Sequence, residues 1–405
     1  VGFATGQILK MQLAQLMYTV GFLDLCGVSL VVPLLNKHAL DLGASPSVAG
    51  LLGSVYGGLQ LFSSPFIGRW SDVNGRRSVL LWCILLSSAA YALLSVSSSL
   101  LVFFVARLVA GMFKHSQGVA RTYLADHYPK EEQSTVFGRF NAASSIGFIV
   151  GPAIGGHIAG REGGFYLCAM LTTLIFILTD ALVWWLAPDM PETKTMKSKE
   201  SFHWRPLVMF EPFWKVNWMA LWDIFVIRFL MGVAVLVYRS NFFLLITRKY
   251  DVSSKTAGYL MSFNGLVGTF SGFAVGKISS LYGDDNRLLL HTAIIQMLSI
   301  ACLAVSPNIW LFAAALAPLS LMNAIARVAS TKITIIRGRG QDTGALLGLG
   351  NSIVSISRMI SPALGGFAQE FSLTGPVLMG TSFAFLNVIF MLVFFKNREI
   401  IKKNR

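Results

Sequence analysis

Two stretches of this chain, about 210 residues apart, carry the same spacing of glycine, asparagine and proline, as internal repeats do. The first stretch contains Gly138, Asn141, Pro152, Gly155 and Gly156, and the second contains, at identical spacing, Gly348, Asn351, Pro362, Gly365 and Gly366. The loop 68–75 likewise matches the loop 276–283. A long parallel repeat in a hydrophobic chain is typical of membrane proteins built from two equivalent bundles. The repeat therefore predicts two bundles, at 1–187 and 217–405.

The composition supports a membrane protein made of helices. The chain is 54% hydrophobic and 13% charged, with a mean hydropathy of +0.63. A bilayer-spanning helix needs about 20 mainly apolar residues. Such runs lie near 11–35, 47–68, 78–97, 100–123, 136–159, 164–187, 217–247, 256–280, 287–305, 308–331, 344–369 and 374–396. We predict an all-α protein of twelve transmembrane helices, six in each bundle, with a polar, proline-containing linker at 188–216.

The net charge of +14 is explained by membrane topology and not by a nucleic-acid partner. If the N-terminus is cytoplasmic, most of the 33 Lys and Arg residues lie in cytoplasmic loops, the linker and the tail. The opposite side then has only Lys37, Arg161, Arg248, Lys249 and Lys255. This asymmetry follows the positive-inside rule. We expect an integral multi-pass protein surrounded by lipid, with both termini in the cytosol.

The loop after the second predicted span reads Gly-Arg-Trp-Ser-Asp-Val-Asn-Gly-Arg-Arg over residues 68–77. Glycine at Gly68 and Gly75 permits a tight turn between two helices. The carboxylate of Asp72 is expected to bind helix N-terminal amides or the guanidinium groups of Arg76 and Arg77. We predict a reversible polar contact at the cytoplasmic ends of the helices.

The fifth predicted span combines one proline with a row of small residues: Gly147, Gly151, Pro152, Gly155 and Gly156. Small residues let two helices touch along their backbones. A proline inside a helix removes one hydrogen bond and bends the helix. We predict a kinked, tightly packed helix that closes one end of a pathway.

Three motifs in order resemble those of the major facilitator superfamily: 23–27 in the first span, the loop 68–77, and 147–156 in the fifth span. Together they resemble the twelve-helix drug–proton and tetracycline-type antiporters. The loop departs from the superfamily pattern at Trp70, where leucine is usual, and at Val73, where arginine is usual. The resemblance implies two six-helix bundles, transport by alternating access, and a central cavity lined by helices 1, 4, 7 and 10.

Ionisable groups inside the bilayer cost about 3 kcal/mol each on insertion scales, so each one is a candidate for function. On the helices that the resemblance assigns to the cavity, they are Asp24, Arg107, Lys114, His115, Asp223, Arg228, Arg239 and Arg327. Asp180 and Arg358 lie in other spans, where a structural or gating role is expected. Two carboxylates against five permanent cations favour an anionic or zwitterionic substrate. The alternative is that three of the arginines reach the interfaces.

Asp24 and Lys114 are the favoured pair. At a rise of 1.5 Å per residue, both lie close to the bilayer midplane, and Arg107 lies two turns from Lys114 on the same helix face. The pair is expected to act as a salt-bridge gate. Two alternatives stay open: Asp24 carries a coupled proton, or it only hydrogen-bonds a neighbouring helix. His115 either titrates near neutral pH or is simply hydrogen-bonded.

The residues and the resemblance together predict a secondary transporter of a small organic solute, with proton-coupled antiport as the first hypothesis. A facilitative uniporter of the same fold, or a membrane scaffold or sensor without transport, are the alternatives. The motifs contain no Walker sequence, nucleophile–base pair or metal-ligand cluster, so neither an ATPase motor nor an enzyme is expected. We expect a monomer with no cofactor and no metal, whose partners are the substrate, protons and lipid.

Overall fold

The computed structural model describes residues 2–188, 216–339 and 343–403. The regular elements of these residues are all helical. The first half contains α1 (Gly2–Val31), α2 (Leu35–Asp41), α3 (Pro46–Asn74), α4 (Arg76–Ser95), α5 (Leu100–Phe113), α6 (Ser116–His127), α7 (Lys130–Ala159) and α8 (Gly164–Leu186). The second half contains α9 (Trp218–Ser240), α10 (Phe242–Lys249), α11 (Ser254–Leu281), α12 (Asp285–Val305), α13 (Ile309–Arg337), α14 (Thr343–Phe371) and α15 (Gly375–Lys403). The predicted all-α class is confirmed, and the predicted linker falls almost wholly outside the described residues.

Within these ranges, nine segments are long and apolar enough to cross a membrane. They are Met11–Asp41, Arg76–Ser95, Leu100–His127, Lys130–Ala159, Gly164–Leu186, Trp218–Ser240, Asp285–Val305, Ile309–Arg337 and Gly375–Phe394. The helices α3, α11 and α14 are also long, at 29, 28 and 29 residues, but they are richer in glycine and serine. The chain is thus a multi-pass membrane protein, and the exact number of twelve spans stays a prediction.

Two of the predicted spans are broken helices. Lys114 leaves the helical region at φ −76° and ψ 66°, and with His115 it separates α5 from α6. Asn241 separates α9 from α10 in the same way. The first break gives α6 an N-terminus of its own, at Ser116, in the interior of its bundle.

The described residues form two compact units. The first unit draws on Val1–Gly43, Leu59–Trp204 and Ser253–Gly265. In it, α1 packs along α7 and α8, and α4 packs along α8 and α5. Its largest fully buried side chains are Tyr91, Tyr123, Phe140 and Phe176.

The second unit draws on Ala44–Gly58, Arg205–Val252 and Leu266–Arg405. In it, α9 packs along α14 and α15, and α12 packs along α13 and α15. The amide of Ser47 donates to Glu370 Oε1 at 3.0 Å, which lowers the pKa of that exposed carboxyl. The first unit includes the first turns of α11, from the second half of the sequence, and the second unit includes the first turns of α3, from the first half. The division of the chain at 187 and 217 stays a prediction.

Glycines set the distance between α1 and α7. A Cβ at Gly147 would overlap the carbonyl oxygen of Phe22, and a Cβ at Gly155 would lie 2.7 Å from that of Leu30. Gly151, one turn from each, faces the same helix. Helices in lipid associate mainly by such close packing, because the surroundings are as apolar as the side chains. The small residues of the fifth predicted span therefore bring two backbones into contact.

Each unit also contains one crossing of glycine against glycine. In the first unit a Cβ at Gly156 would lie 3.0 Å from the Cα of Gly258, and a Cβ at Gly258 would overlap the Pro152 carbonyl oxygen. In the second unit a Cβ at Gly366 would lie 2.9 Å from the Cα of Gly50. Gly156 and Gly366 are equivalent positions of the sequence repeat. Pro152 lies inside the continuous helix α7, and a kink there stays a prediction.

Candidate functional site

A buried carboxylate lies opposite the break between α5 and α6. Asp24 of α1 forms an ion pair with Lys114 Nζ. It accepts two further hydrogen bonds, from Ser116 Oγ at 2.5 Å and from Gln117 Nε2 at 3.0 Å. Asp24 is 2% exposed and Lys114 is 8% exposed. One cation, two neutral donors and the positive end of the α6 dipole together stabilise a full negative charge in the interior.

Gln117 connects this carboxylate to a third helix. Its Nε2 also donates to the carbonyl of Gly21 at 3.0 Å, and its Oε1 accepts from Ser144 Oγ at 3.1 Å. A Cβ at Gly21 would lie 2.6 Å from Ser144 Oγ, so glycine is needed at this position for α7 to approach. The polar cluster thus joins α1, α6 and α7 around Asp24.

The broken segment itself is held by neighbouring helices. Lys114 Nζ lies 4.8 Å from the ring centroid of Phe176, in a cation–π contact. The carbonyl of Lys114 accepts from Gln60 Nε2 at 3.1 Å. His115 forms a 2.7 Å hydrogen bond with Ser63 Oγ. The geometry of His115 matches the simply hydrogen-bonded alternative, and a titrating role stays a prediction.

Two other predicted cavity residues are enclosed in their units. Arg107 is buried in α5, at 6% exposure. Asp223 of α9 has no exposed surface and forms a 2.7 Å ion pair with Arg337 Nη1, at the end of α13. Arg337 also donates to Asn286 Oδ1 at 3.2 Å. Asp223 is therefore part of a buried ion pair, and a role in lining the cavity stays a prediction.

The second unit carries four arginines at membrane depth. Arg228 is buried, at 8% exposure, whereas Arg239, Arg327 and Arg358 are exposed. The positive charges of Arg239 and Arg327 act on that of Arg358, so three different helices bring these guanidinium groups near one another. Arg358, for which the sequence suggests a structural or gating role, thus lies beside two of the predicted cavity residues.

The loop 68–77 forms the predicted polar contact around Arg76. Its guanidinium pairs with Asp72 at 2.5 Å and with Asp126, near the end of α6, at 2.9 Å. In the second unit, Asp285 at the start of α12 accepts from Lys332 of α13 at 2.9 Å. Each loop is therefore tied to the end of a neighbouring helix by one ion pair.

Of the two glycines expected in the turn, only Gly75 lies there, because α3 continues through Gly68 to Asn74. Gly75 has φ +88° and ψ 143°, a conformation that is essentially restricted to glycine. A Cβ at Gly68 would meet nothing within 4 Å, so space does not require glycine there. Arg77 donates to the carbonyl of Trp184 at 2.5 Å and so binds the loop to the end of α8.

Sequence reasoning did not find several members of these clusters: Ser116, Gln117, Ser144, Asp126 and Arg337. Ser116 and Gln117 directly follow two ionisable residues within an apolar span, and this polar run is the available signal. The partners Asp126 and Arg337 lie at helix ends, where charged residues are common, so their pairing could not be read from position alone.

Two repeated helical bundles, with buried ion pairs and a broken helix at membrane depth, define a secondary transporter of the multi-pass membrane class. Residues 17–301 match the family model of the Major Facilitator Superfamily. The match covers more than half of the chain, and the chain therefore belongs to this superfamily.

Relatives and solved structures agree with this assignment. The chain is 26% identical over 358 residues to the class B tetracycline resistance protein of Escherichia coli, covering 87% of each. The nucleoside transporter NupG superposes with a TM-score of 0.76 at 15% identity, over 96% of this chain and 99% of that one. The human organic anion transporter MFSD10 superposes with a TM-score of 0.64 at 17% identity, over 94% and 99%. The two structural likenesses establish the fold alone.

Proposed function

We propose that this chain is a proton-coupled antiporter, which exchanges a small organic solute for protons by alternating access. It works as a monomer with both termini in the cytosol. The cytosolic orientation is supported by the concentration of Lys and Arg in the loops assigned to that side. An organic solute as cargo is supported by the likeness to the class B tetracycline resistance protein over most of both chains. Exchange for protons is supported by the resemblance of the motifs 23–27, 68–77 and 147–156 to those of drug–proton antiporters.

The observation that carries the proposal is the carboxylate of Asp24 at the helix break. When charged, it holds Lys114, Ser116 and Gln117 at the start of α6. A proton on Asp24 removes the charge that attracts Lys114. The two short helices on either side of the break are then free to reorient, as the discontinuous helices of other transporters allow. Proton binding and rearrangement of α5 and α6 become linked equilibria.

The substrate class follows from the charges of the second unit. The cations Arg228, Arg239, Arg327 and Arg358 lie at membrane depth, and the carboxylate of Asp223 is already paired. An excess of positive charge in a weakly screened space attracts anions and repels cations. We propose an anionic or zwitterionic substrate. The human organic anion transporter MFSD10 has the same fold.

The test is a proton-flux assay in proteoliposomes with a trapped pH dye. The panel contains tetracycline as a zwitterion, 1-naphthoate as an anion and tetraethylammonium as a cation. Entry of a zwitterion or anion should raise the luminal pH, because each transported solute drives protons out. Transport of tetraethylammonium alone would contradict the substrate class. A fall in luminal pH would indicate symport, and solute entry with no pH change would indicate the uniporter.

A matched pair of variants tests the role of Asp24. Asp24→Asn should abolish the pH change while leaving exchange of labelled for unlabelled solute in place, because the amide resembles the protonated carboxyl and cannot take up or release a proton. Asp180→Asn is the control, since it removes another intramembrane carboxyl of the same unit, on α8. If Asp24→Asn retains the pH change and Asp180→Asn loses it, Asp24 is not the coupling residue.

A further inference from the structure

Arg228 is a buried cation that forms no ion pair with any residue that the structure describes. Its side chain is 8% exposed, and its Nη1 is inaccessible to solvent and has no hydrogen-bond partner among the residues that the structure describes. Ile224 and Met231, one turn before and after it on α9, are buried in the core of the second unit. A buried charge is strongly unfavourable unless it is paired. A bound anion would therefore supply the negative charge that this position lacks.

Gly350 of α14 provides the space for this guanidinium. A Cβ at Gly350 would lie 2.5 Å from Arg228 Nη1 and 2.8 Å from its Cζ. Any other residue at this position would displace the arginine from the helix surface. The planar guanidinium of Arg228 thus lies against the backbone of α14 at Gly350.

The surroundings of Arg228 are apolar. Leu349 and Ile353, on either side of Gly350 along α14, belong to the same core cluster as Ile224. Arg239 lies eleven residues later on α9, three turns away on the same face. The nearest carboxylate in sequence, Asp223, is bound to Arg337.

We propose that Arg228, lying against Gly350, is the anchor for the carboxylate of a small amphiphilic organic anion. The guanidinium binds a carboxylate through two parallel hydrogen bonds, and the apolar side chains of α9 and α14 contact the rest of the molecule. This inference rests on the proposed transport function only in taking the anion to be the transported solute. Binding itself does not depend on proton coupling.

The experiment measures thermal unfolding of the purified full chain with 1-naphthoate and with its neutral analogue 1-naphthamide. Naphthoate should raise the Tm of the wild type in a saturable way, and naphthamide should not. Arg228→Met should unfold at a higher temperature than the wild type without ligand, because it removes an unpaired buried charge. It should also lose the naphthoate response. The matched control is Arg287→Met, an arginine whose side chain is 74% exposed, and it should keep that response.

Gly350→Ala gives a second readout that leaves the charge in place. The added methyl displaces the guanidinium, so the Kd for naphthoate should rise at least tenfold. The proposal is overturned if naphthoate does not stabilise the wild type, if Arg228→Met responds to naphthoate like the wild type, or if Arg228→Met is less stable than the wild type without ligand. These results are independent of the luminal pH signal, so a failure of antiport leaves them unchanged.

Discussion

Replacing Lys114 by methionine should destabilise the first unit, and a second change at Asp24 should recover most of the loss. Methionine keeps nearly the volume of the lysine side chain, so the perturbation is mainly the removal of the ammonium group. The carboxylate of Asp24, 2% exposed, would keep only the neutral donors Ser116 and Gln117. Removing one partner of a buried ion pair costs about 3–5 kcal/mol.

Asp24→Asn should cost less, near the lower end of that range, at about 3 kcal/mol. The stranded ammonium of Lys114 keeps Ser116 Oγ at 2.8 Å and the ring of Phe176 at 4.8 Å. A desolvated cation–π contact contributes about 2 kcal/mol. The double variant buries no charge and loses only neutral hydrogen bonds, at about 1 kcal/mol.

The free energy of unfolding can be measured by titrating the full chain with sodium dodecyl sulfate in mixed micelles, with helical circular dichroism as the signal. Arg121→Met is the control, because Arg121 is an exposed cation of α6, the helix that follows Lys114, and donates to Asn141. It should change the free energy of unfolding by less than about 1 kcal/mol. The reasoning would be refuted if the double variant lost as much free energy of unfolding as the two single variants together. A Lys114→Met variant as stable as the control would refute it as well.

Two paired substitutions of glycine test the backbone geometry. Gly75→Ala should lower the Tm and cost about 1–3 kcal/mol, because φ +88° is strained for any other residue. Gly68→Ala, inside α3 with nothing within 4 Å, should instead raise the Tm slightly through helix propensity. Gly258→Ala should lower the Tm, because its methyl would overlap the Pro152 carbonyl oxygen. Gly268→Ala, on the same helix with nothing within 4 Å, should raise the Tm slightly through helix propensity. Equal effects at Gly258 and Gly268 would contradict the close crossing.

The class of fold could be predicted from the sequence because the bilayer imposes length and apolarity on every helix. The pairing of Asp24 with Lys114 could also be predicted, since helical rise places both near the same depth and the resemblance to the superfamily places their helices at one cavity. The contact between the Asp72 carboxylate and Arg76 follows from their spacing of four residues in the loop motif. These features depend on local geometry, which the sequence contains.

The break at Lys114 and His115 could not be predicted in the same way. An apolar run of suitable length does not reveal where its hydrogen-bond ladder is interrupted, because the interruption is stabilised by Gln60 and Ser63 of another helix. The buried partner of Asp223 was missed for a related reason. Which of several helix-end cations reaches a carboxylate depends on the packing of the helices.

The ion pairs Arg76 with Asp126 and Asp285 with Lys332 are freer to change during evolution than the pair of Asp24 with Lys114. Both pairs are partly exposed, with side-chain exposures between 16% and 52%. Loss of one partner at such a site costs at most about 1 kcal/mol, so a lineage can pass through the unpaired state and re-form the pair with its signs exchanged. The pair of Asp24 with Lys114 cannot change in this way, because the loss of either residue alone leaves the charge of the other buried and unpaired. Among descendants of this chain, the loop charges are free to exchange sign, while the central pair must persist or be lost as a unit.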